Sequence, residues 1–156
     1  MRILFMCTAN SCRSILSEAM FNHLAPQGFE AISAGSFPAG QVLPASLTTL
    51  QEAGIAIDGL YSKGNEAFQN NPPDIVITVC DKAAGEACPV YFGAALKAHW
   101  GLQDPSALKA DEAALKAAFH ATLIHIEARC RAFLALPFAR LDPAALKHEL
   151  DRISTL

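Results

Sequence analysis

Residues 2–14 read RILFMCTANSCRS. The run from Arg2 to Met6 is mainly apolar and has the length of a strand, whereas the residues from Cys7 to Ser14 are mostly small and polar. The segment that follows carries apolar side chains at helical spacing, namely Ile15, Leu16, Ala19, Met20 and Leu24. A strand, a tight loop and an amphipathic helix are therefore predicted in this order, which is how many α/β sheets begin.

Strands and helices continue to alternate after this first unit. Further strands are expected at Phe29–Ser33, Asp74–Val79 and Leu96–Trp100, and helices at Pro44–Ala53, Glu66–Asn70, Asp111–Leu136 and Asp142–Ile153, with a long loop from Cys80 to Gly93. This order predicts an α/β fold with a central, mostly parallel four-stranded sheet flanked by helices. We expect one domain over residues 1–136 and a C-terminal helical appendage over residues 137–156, set off by the linker-like stretch Pro137–Asp142.

Composition narrows the class of protein. Of the 156 residues, 52% are hydrophobic and 17% are charged, which excludes a disordered chain. The net charge of −3 is too small to indicate binding to nucleic acid or to a membrane surface. No apolar window reaches the ~18 residues that a membrane span needs, and the N-terminus lacks a secretory signal. We therefore expect a cytoplasmic protein with no nucleic-acid or membrane partner.

Cys7 and Arg13 bracket the loop between the first strand and the first helix. Backbone N–H groups converge where a loop enters a helix, and together with the helix dipole they form an anion site. The same field lowers the pKa of a cysteine at its base below the free value of ~8.5, while an arginine can fork onto two oxygens of a bound oxyanion. We also expect Ser14 to donate its hydroxyl to the Cys7 sulfur and Asn10 to brace the loop. The alternative is an ordinary turn with a buried cysteine and a capping arginine.

Asp104 and Pro105 lie in a turn-rich segment near the end of the last predicted strand. A thiolate that attacks a tetrahedral oxyanion needs its leaving oxygen protonated, so a carboxylic acid beside the loop would act as general acid. The alternative is that these two residues only open a turn, for which both are common.

Two further cysteines, Cys80 and Cys88, follow the strongest strand signal. Cys7 and Cys80 both end strands, so both are expected at the edge of the sheet where open α/β folds place their sites. The small residues between Cys80 and Cys88 would let these thiols approach each other for disulfide exchange. A zinc site and inert cysteines are the alternatives. Cys130 lies on the apolar face of a helix and is expected to fill the core.

The stretch from Leu4 to Ser14 resembles the phosphate loop of the low-molecular-weight protein tyrosine phosphatase fold, and most of all that of arsenate reductases. Ser33-Ala34-Gly35 also matches, and the resemblance covers residues 2–135. It implies that the loop binds the oxyanion through Thr8, Ala9, Asn10, Ser11, Cys12, Arg13 and Ser14. It also implies that Cys7 is the nucleophile and Asp104 the acid. Ala9 departs from the glycine of many members, and Ser106-Ala107 replaces the tyrosine that usually follows Asp-Pro in the phosphatases.

Cys80 and Cys88 resemble the redox pair of thioredoxin-coupled arsenate reductases. The resemblance therefore implies reduction of arsenate to arsenite for arsenic detoxification, by a disulfide relay of Cys7, Cys80 and Cys88. Phosphate and sulfate would compete with arsenate, no cofactor or resident metal is expected, and thioredoxin would supply electrons. Glutathione with glutaredoxin remains open as donor. The alternatives are a low-molecular-weight protein tyrosine phosphatase and a non-catalytic oxyanion- or metal-binding module.

Some arsenate reductases of this fold bind potassium beside the loop, through an Asn, a Glu, a Ser and an Asp. Asn10, Glu18 and Ser33 match the first three, but Lys63 stands where the aspartate is expected. An ammonium group can occupy the space of the ion and pair with Glu18. We predict that this protein neither binds nor needs potassium. In the alternative, Lys63 points to solvent and Glu18 is a helix-surface acid.

Overall fold

The computed structural model describes residues 1–86 and 92–156. Within these residues, one parallel sheet has the strand order β2-β1-β3-β4, formed by β1 (Arg2–Cys7), β2 (Glu30–Gly35), β3 (Ile75–Thr78) and β4 (Leu96–His99). The helices are α1 (Arg13–Leu24), α2 (Pro44–Glu52), α3 (Asp81–Ala84), α4 (Glu112–Leu134) and α5 (Pro143–Ile153). Short 3-10 helices lie at Asn65–Phe68, Pro105–Ala107 and Phe138–Arg140. The predicted α/β fold is confirmed, and the sheet is parallel throughout.

Two local predictions need correction. β2 does not end at Ser33 but continues to Gly35, which pairs with Cys7 in the parallel register and forms a bridge to Gly64. The stretch after Cys80 was expected to be a loop, but it begins with one helical turn, α3. The Cys80 sulfur caps this turn by accepting a hydrogen bond from the Ala83 amide at 3.4 Å. Neither feature has a periodic pattern long enough to detect in the sequence.

The core lies on both faces of the sheet, because β1 is buried along nearly its whole length. On one face the rings of Phe5, Phe21, Trp100 and Phe133 pack with centroids 5.7–6.2 Å apart, between the sheet and the helices α1 and α4. Full burial of one phenylalanine side chain stabilises the folded state by about 1.5–3 kcal/mol. The other face carries a smaller apolar cluster of Leu4, Met6, Ile32, Ala34, Val76 and Phe92.

The C-terminal helix α5 completes the first of these cores. Leu150 and Ile153 are fully buried in it, and the indole Nε1 of Trp100 donates a hydrogen bond to the Leu150 carbonyl oxygen at 2.9 Å. The division into residues 1–136 and an appendage over residues 137–156 stays a prediction. Among the described residues, no helix combines the length and the apolar character needed to cross a membrane.

The strand order positions the site. β1 and β3 are neighbours and run in the same direction, so Cys7 at the end of β1 and Cys80 just beyond β3 reach the same edge. β4 lies next to β3, and the chain after it leads to Asp104 at that edge. The sheet thus brings three distant parts of the sequence together.

Candidate active site

Asn10 fixes the shape of the oxyanion loop, by which we mean residues 7–14. It adopts a positive φ of 48°, a conformation that asparagine tolerates better than most residues. Its side-chain amide donates hydrogen bonds to Ser14 Oγ at 2.8 Å and to Ser33 Oγ at 3.0 Å, and its Oδ1 accepts one from the Lys63 amide at 2.9 Å. The bracing role expected for Asn10 is thereby confirmed.

The loop turns its carbonyl groups outward. The carbonyl oxygens of Thr8, Ala9 and Ser11 accept hydrogen bonds from the amides of Phe37, Ala39 and Leu43, in the segment after β2. Because a trans peptide directs its N–H opposite to its C=O, the amides of the following residues point to the inner side of the loop. These amides form the cradle that an oxyanion requires.

Two small residues make this wrapping possible. A Cβ atom at Gly35 would collide with the Thr8 carbonyl oxygen, so only glycine allows β2 to approach the loop this closely. Ala9 replaces the glycine of many relatives, yet among described non-glycine residues only Asn10 has a positive φ. Alanine therefore fits its position without strain.

The oxyanion loop opens into a cavity of about 500 Å³. The cavity is bounded on one side by the loop and on the other by the start of α3 and by the acid loop, which we define as residues 101–107. The residues that line it are Cys7, Thr8, Ala9, Ser11, Cys12, Arg13, Cys80, Asp81, Lys82, Leu102, Gln103, Asp104 and Ser106.

Arg13 links the two loops. Its Nη1 donates a hydrogen bond to the Leu102 carbonyl oxygen at 3.0 Å, and its Nη2 lies 3.6 Å from Asp104 Oδ2. Its Nε is buried and has no hydrogen-bond partner among the described residues. The guanidinium is thus oriented by the acid loop and keeps an N–H for a ligand.

The two carboxyl oxygens of Asp104 have different partners. Its Oδ1 accepts hydrogen bonds from the amide and the hydroxyl of Ser106, at 2.9 and 2.6 Å, while Oδ2 faces Arg13. Asp104 therefore opens a turn and also presents a carboxyl oxygen to the cavity. Ser106 was not predicted to act here, although an Asp followed two residues later by Ser is a recognisable turn signal. Arg13 contacts the backbone carbonyl of Leu102, a group that every residue type has, so the sequence does not indicate this contact.

The thiols of Cys7 and Cys80 line the same cavity. A hydrogen bond from the Cys7 thiol is the main cause that lowers the pKa of Cys80 to about 5; burial opposes it, and the amide of Ala83 and the hydroxyl of Thr8 lower the pKa further. Sharing the proton in turn raises the pKa of Cys7, and burial adds to this increase, although Arg13 opposes both effects. The pair therefore holds one negative charge at neutral pH.

The sequence analysis expected a lowered pKa at Cys7, whereas the hydrogen bond to Cys80 and burial raise it. More hydrogen-bond donors surround the Cys80 sulfur, and they favour the thiolate form of Cys80. Ser14 was expected to donate to the Cys7 sulfur, but in the described part of the chain the hydrogen bond of its Oγ is one that it accepts from the Asn10 amide.

The other cysteines have different surroundings. Cys12 is buried in the wall of the oxyanion loop, and burial raises its pKa to about 11. Cys130 is fully buried in the core, as predicted, and burial raises its pKa to about 12. Cys88 lies outside the described residues. Within those residues, no group of three or more His, Cys, Asp or Glu side chains is arranged to hold a metal ion.

A buried ion pair lies beneath the oxyanion loop. Lys63 Nζ lies 3.9 Å from Glu18 Oε2 and 3.4 Å from Ser33 Oγ, and Ser33 Oγ donates to Glu18 Oε2 at 3.0 Å. Lys63 is 7% exposed and Glu18 is 8% exposed, so the solvent-facing alternative is wrong. Burial lowers the pKa of Lys63 and raises that of Glu18, and the attraction between the two charges opposes both shifts.

Comparison with known proteins agrees with this geometry. Residues 2–151 match the family described as low molecular weight phosphotyrosine protein phosphatase. The chain is 35% identical to an arsenate reductase of Shouchella clausii over 104 residues, which cover 67% of this chain and 73% of the relative. It is 32% identical to an arsenate reductase of Bacillus subtilis over 110 residues, which cover 70% and 78%.

Solved structures give the same result. An arsenate reductase in the phosphate binding state superposes with a TM-score of 0.71 and 25% identity, over 86% of this chain and 96% of the other. A thioredoxin-dependent arsenate reductase from Corynebacterium glutamicum superposes with a TM-score of 0.62 and 28% identity, over 83% of this chain and 58% of the other. The chain therefore belongs to the low molecular weight phosphotyrosine protein phosphatase family.

Proposed function

We propose that this protein is an arsenate reductase that converts arsenate to arsenite. One observation carries the proposal: the cysteine at the base of the oxyanion loop, Cys7, and a second thiol, Cys80, line the same cavity. Hydrolysis of a phosphate ester needs only the first thiol. A neighbouring thiol supplies what a reductase needs, which is a partner for disulfide formation. The arsenate reductases among its relatives support the same activity.

The first step joins arsenic to Cys7. Arsenate binds to the inward-facing amides of the oxyanion loop and to the free N–H of Arg13. A proton shift from Cys7 to Cys80 across their hydrogen bond leaves Cys7 as the thiolate beside Arg13. This thiolate attacks arsenic, Asp104 protonates the leaving oxygen, and water departs.

The second step reduces arsenic. Asp104, now a carboxylate, takes back a proton from the Cys80 thiol. The Cys80 thiolate then attacks the Cys7 sulfur, the sulfur–arsenic bond breaks, and its electron pair stays with arsenic, which leaves as arsenite. A Cys7–Cys80 disulfide remains. Cys88 then attacks Cys80, which frees Cys7 and forms a Cys80–Cys88 disulfide. Two thiols are oxidised for each arsenate reduced, so an external dithiol must complete the cycle.

Thioredoxin is the proposed external dithiol, and the cytoplasm is the proposed location because its reducing pool keeps thiols reduced. The support is the thioredoxin-dependent relative of similar structure. The test is arsenate-dependent oxidation of NADPH with thioredoxin and thioredoxin reductase, repeated with glutathione, glutaredoxin and glutathione reductase. Turnover in the first system alone is expected. Turnover only in the second would exclude thioredoxin, and none in either would contradict arsenate reduction.

Phosphatase activity is the second candidate function. Cys7, Arg13 and Asp104 form the set that hydrolysis of a phosphate ester requires. Without Cys80, Cys7 no longer shares its proton with a second thiol, and Arg13 still favours the Cys7 thiolate. A double variant, Cys80→Ser with Cys88→Ser, should lose arsenate reduction and keep slow hydrolysis of p-nitrophenyl phosphate. Complete loss in a folded double variant would show that these cysteines shape the oxyanion loop.

A further inference from the structure

Arg129 is a buried charge that the proposed reaction does not use. It projects from α4 and is 5% exposed. Burial lowers its pKa, and no Asp or Glu side chain in residues 1–86 or 92–156 forms an ion pair with it. Burying a charged side chain is costly unless hydrogen bonds offset the lost hydration.

Arg129 makes its hydrogen bonds to main-chain oxygen atoms. Nη1 donates a hydrogen bond to the Gly101 oxygen at 3.1 Å, and Nη2 donates to the Ser154 oxygen at 3.0 Å and to the Leu156 oxygen at 3.4 Å. The planar fork of an arginine can hold two such groups in one fixed arrangement. Arg129 thus joins the start of the acid loop to the segment after α5.

The carbonyl that follows that of Gly101 along the chain belongs to Leu102. It accepts a hydrogen bond from Arg13 Nη1. The Leu102 amide is also tied, through its hydrogen bond to the Val79 carbonyl at 3.0 Å. Consecutive peptide planes share a Cα atom, so the direction of the Gly101 carbonyl limits that of the Leu102 carbonyl. Arg129 therefore lies one peptide away from the group that orients Arg13.

We propose that Arg129 is a positioning residue, which holds the acid loop so that Arg13 and Asp104 face the oxyanion correctly. The inference rests on the proposed function, because it assumes that the oxyanion loop binds its anion. It goes further in assigning part of the oxyanion affinity to a residue outside the cavity. A simpler role, in which Arg129 only anchors the end of the chain, predicts a loss of stability alone.

The test measures binding of inorganic phosphate and thermal stability in the same variants. The Kd comes from isothermal titration calorimetry of the reduced enzyme with inorganic phosphate. Arg129→Met should weaken phosphate binding about tenfold, since a misplaced Arg13 loses a charge-assisted hydrogen bond. The KM for arsenate should rise by a similar factor and by more than kcat falls.

Arg129→Lys provides a second variant that keeps the buried charge. An ammonium group cannot reach Gly101 and Ser154 together as the fork does, so phosphate binding should weaken by about threefold. An unchanged Kd in this variant would overturn the proposal, even where Arg129→Met does not fold.

Ile153→Ala is the matched control, because Ile153 is fully buried on α5 and belongs to the same end of the core. It should lower the melting temperature and leave the phosphate Kd unchanged. The proposal is wrong if Ile153→Ala weakens binding as much as Arg129→Met, or if Arg129→Met lowers stability alone. Failure of the native protein to bind phosphate would instead overturn the oxyanion site, and this inference with it.

Discussion

The oxyanion loop and the redox segment, which we define as residues 80–86, form opposite walls of one cavity but are held in different ways. In the loop, Asn10 is fully buried and makes three side-chain hydrogen bonds, and the outward carbonyls are tied to the segment after β2. In the redox segment, α3 has four residues, and of these only Ala83 is buried. One wall is fixed at many points, whereas the other is fixed mainly at Cys80 and Ala83.

This difference matches the chemistry that each wall must perform. An anion cradle binds through amides whose directions are set before the ligand arrives, so rigidity increases affinity. In the proposed relay Cys80 reacts first with Cys7 and then with Cys88, so a backbone held at few points suits its role. A single isolated helical turn fixes several dihedral angles for few hydrogen bonds, and it therefore opens at little cost.

Cys7→Ser tests the fixed wall and should have the largest effect. A hydroxyl at the base of the loop is a poor nucleophile, so arsenate turnover should fall by more than about 10⁴-fold while the fold is kept. Cys130→Ala is the control, because this thiol is fully buried in the core and away from the cavity. It should lower the melting temperature yet leave turnover within about twofold. Normal turnover in Cys7→Ser would exclude Cys7 as the nucleophile.

Cys88→Ser tests the disulfide relay proposed for Cys80 in the redox segment. Without the third thiol, the relay should stop after Cys80 has attacked Cys7. The expected result is about one arsenite per enzyme in the first pass and a trapped Cys7–Cys80 disulfide, because thiol exchange cannot proceed without a third thiol. Rapid-quench assays and non-reducing peptide maps measure both. Continuous cycling with thioredoxin would contradict the relay.

The shared proton of the two thiols allows a smaller, pH-dependent test. The lowered pKa of Cys80, about 5, means that its thiolate is present above that pH and is lost as the pH falls through it. Labelling of Cys80 by iodoacetamide should therefore have its midpoint near this value. In Cys7→Ala the hydrogen bond that is the main cause disappears, so the midpoint should move toward the ordinary ~8.5. An unmoved midpoint would show that Ala83 and Thr8 alone hold the charge.

Lys63→Asp tests the Lys63–Glu18 ion pair beneath the oxyanion loop and should have the smallest effect. The native protein should show the same melting temperature and turnover in potassium and sodium salts of equal ionic strength, because an ammonium already faces Glu18. The variant places a second carboxylate there, so potassium should stabilise it by about 1 kcal/mol, or roughly 2–4 °C. A potassium-specific gain in the native protein would contradict the role assigned to Lys63.

The sequence predicts the fold and the order of elements well, because long apolar runs such as Asp74–Val79 have clear periodicity. It also predicts that Cys7 and Cys80 meet, since both follow parallel strands. The lowered pKa that it predicts for Cys7 does not allow for the proton shared with Cys80, because that sharing depends on the hydrogen bonds around each sulfur. The positioning role proposed for Arg129 also cannot be predicted from the sequence, because its hydrogen bonds go to main-chain oxygen atoms, which every residue has.

The buried ammonium of Lys63 has a consequence for how the protein responds to its surroundings. A dissociable cation occupies its site to an extent that varies with the salt concentration of the cell. A cation attached to the chain has a fixed effective concentration, which does not change with the medium. We therefore expect the support that Asn10, Ser33 and Glu18 give to the oxyanion loop to be unaffected by osmotic shock or by a change of counter-ion.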